Sequence, residues 1–422
     1  MKKDLDKLSD NSIFLLRQWG KLTPESKKKY PDGLVSILDE AAQIETKKAS
    51  NEPWQRYVNS EGDIYIDENN WKKTIEKTKY ANELIESKEI PLNYGVIKIK
   101  MTTYLQSREE LSKDIFTRPS QRNVWNEVYK YLKTGNKTHS IVSGNPGIGK
   151  SRSMAYFLRL LLKDRKYVVY ESKLDEKAFI FVPQEDKSYK VWECLNFIRG
   201  SCAILQNPDA YHLIDSDKGI TYVSEGGAAH IVVSASPRVT EKLKDFKNHP
   251  GTRVFFMPVW KYEELNALKQ EISVNGKFLT SERFNFLYDQ FGGRIRYIFA
   301  PKNDLDIINL KTAIRKLPFE KLKSIIDQPV IEGENDPETG SSMIFVYEEN
   351  PNSNEEYKYM MDIPNYIVNL GSKTIIEGLV SKYWNELKDF LNPTGIQYKK
   401  NPILCGHIFE VLGKIKIEYG GE

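Results

Sequence analysis

The chain has 422 residues, 40% of them hydrophobic and 12% aromatic, enough apolar material for about two or three domains with their own cores and too much for a disordered chain. Its net charge of +4 is small for the length and the basic residues are interspersed with acids, so charge permits a nucleic-acid surface without arguing for one. Cys194, Cys202 and Cys405, with five scattered histidines, give neither a disulfide framework nor metal-ligand spacing, and no stretch is long and apolar enough for a signal-peptide core or a membrane span.

In chain order, residues 1–50 read as helical with a break at Pro31-Asp32-Gly33. A strand is expected over 63–67, and a helical run starts at Trp71 and ends before Pro91. Val96–Met101 alternates apolar and basic residues and reads as an edge strand. A helix over 118–132 follows; Arg118 and Trp125 on it are placed by analogy beside a nucleotide base.

The most informative stretch is HSIVSGNPGIGKSRSMAYFLRLLLK, from His139 to Lys163. Gly144, Asn145, Pro146, Gly147, Ile148, Gly149, Lys150 and Ser151 meet the pattern G-x-x-x-x-G-K-[ST] at every fixed position. A short apolar strand precedes them, and Met154, Phe157, Leu158, Leu161 and Leu162 follow at helical spacing. Glycines let successive N–H groups converge on phosphate oxygens, and the helix directs its positive end there. Lys150 is expected at the β- and γ-phosphates, Ser151 on Mg²⁺, and Arg152 with the nucleotide-binding set.

Further strands are expected over 167–172, 178–182 with 188–192 as a hairpin, 211–215, 229–234 and 252–257. Tyr211-His-Leu-Ile-Asp215 has the shape of a Walker B strand, whose terminal carboxylate would hold Mg²⁺ opposite Ser151; an ordinary strand-end turn fits the same residues. Ser216 stands where many such ATPases carry the water-activating glutamate, leaving Asp217 or Glu225 for that role. Ser234 and Ser236 end the next strand close to the expected γ-phosphate. Helices over 262–272 and 281–291 form a lid, with Arg296 chosen to reach the γ-phosphate and Arg294 as the fallback. The expected fold is thus α/β, a P-loop NTPase of three layers around a parallel sheet with a helical lid, an N-terminal α/β segment and a mostly helical C-terminal one. The divisions are 1–95, 96–260 for the core, 261–330 for the lid and 331–422, with 329–354 read as a linker and 357–391 as mostly helical.

IVSGNPGIGKS, HLIDSDKG, IVVSASPR, FFMPVWKYEEL and FGGRIRYIF, in this order, resemble the NTPase module shared by Crinkler effector proteins and retrotransposon hot spot proteins, closer to the Crinkler side. The resemblance covers residues 115–300 and is weaker at 401–410. It implies an ATPase (ATP or another NTP, with Mg²⁺) acting as an effector or regulator on nuclear or nucleic-acid targets, inside a cell or delivered into a host cell. A protein partner or a second copy of the chain, and DNA or RNA, are its expected partners, and a membrane is not. Relatives often continue into a nuclease-like domain whose first helix carries an element like Gly406–Glu410; this chain runs only to Glu422 after it, too short for the carboxylate and lysine of a metal-dependent nuclease, so nuclease activity is not expected of it. The residues expected to act are Lys150, Asp215, Asp217 and Arg296, with Ser151 and Asp215 on the metal. The alternative is a nucleotide-gated binding module with little turnover.

Overall fold

The computed structural model describes Leu38 and residues 71–105, 113–134, 139–172, 177–195, 197, 202–216, 227–236, 243–249, 251–274, 276–299, 304–327, 344–349, 359, 366–390 and 402–418. The expected strand at 63–67 and the carboxylates Asp217 and Glu225 lie outside these residues.

The described strands are β1 (Trp71–Lys73), β2 (Glu89–Pro91), β3 (Ile97–Ile99), β4 (Ile115–Thr117), β5 (His139–Ser143), β6 (Val168–Ser172), β7 (Lys177–Pro183), β8 (Tyr189–Leu195), β9 (Tyr211–Asp215), β10 (His230–Ser234), β11 (Thr252–Phe256), β12 (Ser273–Val274), β13 (Lys277–Phe278), β14 (Phe345–Glu349) and β15 (Tyr366–Leu370). The helices are α1 (Ile75–Glu86), α2 (Pro119–Leu132), α3 (Lys150–Lys163), α4 (Lys244–Asn248), α5 (Tyr262–Leu268), α6 (Ser281–Phe291), α7 (Ile295–Phe299), α8 (Asp304–Lys316), α9 (Phe319–Asp327), α10 (Lys373–Lys382), α11 (Trp384–Phe390) and α12 (Pro402–Glu418).

Eight strands form one sheet in the order β1-β8-β7-β6-β9-β10-β5-β11. From β6 to β11 every neighbour is parallel. These strands carry β-branched and aromatic runs because both of their faces are covered. Val142, Leu213, Val232 and Tyr170 face the core shared with α2 and α3, whereas Ile141, Ile214, Ile231, Val233 and Val254 pack on Leu243 and Phe246 around α4. One strand, β10, lies between the strand that feeds the glycine loop and the strand that ends in Asp215.

The sheet is mixed, which corrects the expectation of a parallel one. β7, β8 and β1 extend it antiparallel from β6. The connections from β6 to β7 and from β7 to β8 are a few residues long, too short for the crossover that parallel neighbours require. Trp71 begins strand β1, and the helix starts only after the Thr74 side chain accepts from the Lys77 N–H. Residues 71–86 pack with the core sheet, β1 on β8 and the Thr78 hydroxyl accepting from the Val191 N–H. β3 is the middle of the small sheet β2-β3-β4, not an edge, and its Lys98 is neutralised by Glu271 at 2.9 Å and Asp114 at 3.2 Å.

The lid is less purely helical than expected, since a short hairpin, β12-β13, separates α5 from α6. The C-terminal part likewise contains the antiparallel pair β14-β15, within the spans read as linker and helix. No described helix is long and apolar enough to cross a membrane.

The packing of α2 on α3 is centred on Trp125, which is fully buried and stacked on Phe157 with ring centroids 5.0 Å apart; its indole N–H donates to Ser153 Oγ at 3.0 Å. Trp125→Ala removes a large core side chain and leaves that hydroxyl short of a donor, so the folded state should lose about 3–5 kcal/mol. Denaturant unfolding reads this directly, and a loss below about 1 kcal/mol would contradict the packing described.

Candidate functional site

The glycine loop begins where β5 ends. Gly144 has φ +154 and an added Cβ there would lie 2.6 Å from the Met257 carbonyl oxygen, so the loop's first position excludes any side chain. Gly149, the residue before α3, has φ +89, the left-handed conformation that lets the chain turn directly into the helix. The loop's carbonyls are engaged from outside it or by its own lysine. Ile148 O accepts from Trp260 Nε1 at 2.8 Å and from Gln121 Nε2 at 3.4 Å, and Gly147 O accepts from the Arg296 N–H at 3.0 Å. Gly144 O and Asn145 O accept from Lys150 Nζ at 2.6 and 2.9 Å. With these acceptors occupied, an anion arriving at the loop meets donors rather than carbonyl dipoles.

Ser151 lies in the first turn of α3 and Asp215 at the end of β9, and the Ser151 hydroxyl donates to Asp215 Oδ1 at 2.7 Å. Asp215 is 3% exposed, so this charge-assisted bond is made in a nearly dry setting. A hydroxyl and a single carboxylate fit Mg²⁺, which binds through one or two carboxylates and takes its other ligands from water and phosphate. Among the described residues no group of three or more His, Cys, Asp or Glu is placed to hold a metal ion unaided.

Ser216 and Ser234 sit beside Asp215 on adjacent strand ends, joined by the Ser216 N–H to Ser234 O bond at 3.0 Å. Both side chains are buried, and neither hydroxyl has a hydrogen-bond partner among the described residues. Unsatisfied buried hydroxyls are costly, and these two belong to residues at the ends of neighbouring strands beside Asp215.

The remaining expected residues divide. Arg296 is exposed, and its Cβ would stand 3.2 Å from a Cβ added at Gly147, which places its backbone directly against the loop. Arg294, the fallback, is fully buried and donates to Phe291 O at 3.3 Å and to Phe345 O at 3.2 Å, the oxygen that Asn145 of the loop also reaches. Its burial lowers its pKa to about 10. The Arg152 guanidinium donates to Asp114 O at 3.0 Å, and Arg152 lines a small cavity together with Ser151, Tyr80, Tyr104 and Tyr170. Asn145 points its side chain to Phe345 O at 2.6 Å.

Arg118 and Trp125, placed by analogy beside a nucleotide base, are core residues. Arg118 is 1% exposed, donates to Val259 O at 2.7 Å and to Pro258 O, lies 3.8 Å from Glu264 and covers the Trp260 ring at 5.0 Å. It fastens the start of α2 to the segment after β11. Sequence reasoning missed Gln121 and Trp260 as holders of Ile148 O. Trp260 lies in FFMPVWKYEEL, one of the stretches that carry the resemblance, whereas nothing in the sequence marked Gln121.

No protein-family model matches the chain. It is 23% identical over 317 residues to Crinkler effector protein 16 of Phytophthora infestans, covering 73% of this chain and 46% of that protein. It is 27% identical over 160 residues to Crinkler effector protein 15 of the same organism, covering 36% of this chain and 24% of that protein. The chain thus spans less than half the length of these curated relatives, and the similarity, though weak, supports a Crinkler-like relationship.

Proposed function

We propose that this chain is a Crinkler-like P-loop NTPase that binds ATP, or another nucleoside triphosphate, together with Mg²⁺. The observation that carries the reading is the 2.7 Å bond between the Ser151 hydroxyl and Asp215, which joins the last residue of the loop motif to the carboxylate ending β9. The strand order supports it: counted from the loop strand, the parallel strands run fifth, first, fourth, third, second, with one strand inserted between loop and carboxylate. The unpartnered hydroxyls of Ser216 and Ser234, on residues beside Asp215 at the strand ends, support a polar ligand there. Mg²⁺ held by Ser151 and Asp215 would neutralise charge on the β- and γ-oxygens. Lys150, with two of its three N–H donors on Gly144 O and Asn145 O, has a third to offer the phosphates, and Arg296, beside Gly147, is the lid residue assigned to nucleotide sensing.

A second reading, a nucleotide-gated binding module with little turnover, is favoured by Ser216. Serine is neutral and cannot take a proton from water as a glutamate there would. Under either reading the Crinkler effector relatives support a role as an effector or regulator; nuclear or nucleic-acid targets belong to the proposal.

MgATP at ~100 times its dissociation constant should raise the stability of the wild type by about 2.7 kcal/mol. Lys150→Ala should abolish that gain and any phosphate release, and equal melting shifts in the two proteins would defeat the proposal. Asp215→Asn should keep metal-free nucleotide binding while removing the extra stabilisation that Mg²⁺ adds. Titrating ATP with and without Mg²⁺ measures this, and an unchanged Mg²⁺ increment in the variant counts against Asp215 as a ligand. Ser216→Glu restores a candidate base, so single-turnover phosphate release should rise by at least ~10-fold if general-base catalysis is what the wild type lacks. A variant that binds ATP and is no faster assigns slow turnover to another cause.

A further inference from the structure

Buried positions in the middle of a parallel sheet are ordinarily apolar, because both faces are covered. One register row of this sheet departs from that. Ser172 of β6 pairs with Asp215 of β9, and Asp215 pairs in turn with Ser234 of β10. The row continues through Val142 of β5 to Phe255 of β11, both in the apolar core shared with α2 and α3. On its outer side it passes to Lys177 of β7, whose ammonium has Glu193 at 3.4 Å. Hydroxyls thus occupy this row on the two strands that flank the carboxylate.

Side chains alternate along a strand, so the face of each residue follows from its neighbours. Tyr170, Leu213 and Val232 belong to the core shared with α3, whereas Val169, Ile214 and Val233 belong to the clusters on the other face. Ser172, Asp215 and Ser234 therefore point to the α3 face, where Asp215 meets Ser151. Ser172 and Ser234 are each 1% exposed, and the Ser234 hydroxyl has no hydrogen-bond partner among the described residues. With neighbouring strands ~4.8 Å apart, a hydroxyl-bearing residue stands on each flank of the carboxylate.

We propose that Ser172 is a positioning residue of the metal site: with Ser234 on the opposite flank, its hydroxyl orients the water that accompanies Mg²⁺ at Ser151 and Asp215. The inference rests on the Mg²⁺-nucleotide reading above and gives that site a residue from β6. Mg²⁺ dehydrates reluctantly and keeps several waters when one or two protein groups bind it. A carboxylate can accept from one O–H of such a water, and a serine hydroxyl beside it can accept from another. Groups that touch the ligands rather than the ion tune metal affinity. A methyl group in place of the hydroxyl offers the water no acceptor.

Titrating the full chain with Mg²⁺ at a fixed, saturating concentration of ATP, with the melting shift as readout, tests this. Ser172→Ala should need about tenfold more Mg²⁺ for half of the Mg²⁺-dependent shift, and its shift with ATP and a chelator should equal that of the wild type. Ser172→Thr, which keeps a hydroxyl, should need no more than about twice the wild-type Mg²⁺, while Ser172→Val, of the same shape without the hydroxyl, should follow Ser172→Ala. A wild-type Mg²⁺ requirement in Ser172→Ala, or the same requirement in Ser172→Thr and Ser172→Val, overturns the role of Ser172 alone. A Ser172→Ala chain that loses the chelated-ATP shift as well has lost the site in general, which also overturns that role. A wild type that responds to ATP but gains nothing from Mg²⁺ overturns the metal site together with this inference, and one that does not respond to ATP overturns the nucleotide reading too. Should Ser172→Ala fail to fold, the comparison of Ser172→Thr with Ser172→Val decides.

Discussion

The contact between Ser151 and Asp215 depends on a spacing that the sheet imposes. Neighbouring strands lie about 4.8 Å apart, so with β10 inserted the strand that feeds the loop and the strand that ends in Asp215 are separated by roughly 10 Å. A serine at the tip of β5 could not bridge that distance. The loop does so by reversing through Gly149 into α3, which runs back across the face of the sheet and carries the hydroxyl over β9. The glycines, the inserted strand and the apolar stripe of α3 are parts of one geometric solution, since together they set where the serine meets the carboxylate.

The elements that build this solution were legible in the sequence because each carries its own signal. β9 and α6 fall where the apolar run and the helical period put them, and α2 starts one residue later, behind Arg118. Signals failed where structure depends on partners distant in the chain. Ile97–Ile99 alternates like an edge strand, yet pairs on both sides because Lys98 is covered by Glu271 and Asp114. Phe345–Glu349 ends in two glutamates and follows a Gly/Ser-rich stretch, so composition reads it as linker, while its pairing with 366–370 makes it a strand. The β7-β8 hairpin was legible from its short connection, whereas chain order gave no means to place β1 beside it, because β1 joins the sheet from more than a hundred residues upstream of β8.

Of the candidate site, the loop and its carboxylate were visible as residue types, and the supports were not. Trp260, Gln121, Arg296 and Asn145 act on backbone carbonyls or through their own backbone. A carbonyl is present at every position, so no residue identity advertises it as an acceptor. The arginines show the same limit from the other side. Arg118 and Arg294 look from sequence like groups that meet a ligand, but each is buried with its guanidinium on main-chain oxygens, one fastening α2 to the segment after β11 and the other fastening the lid to β14. Burying such a cation is tolerable because several fixed acceptors surround it, and removing the cation would leave those acceptors unpaired.

Lys150 is where support and chemistry meet. It is only 9% exposed, and its ammonium lies on two carbonyls of its own loop. Those bonds satisfy the charge without a ligand, so the loop has a stable closed arrangement of its own rather than a collapsed one. An ammonium has three N–H donors, so with two of them on carbonyls a third remains for a further acceptor, and the lysine need not give up its own loop to meet one. The side chain that carries the charge is thereby also the brace that holds the first two loop carbonyls in place.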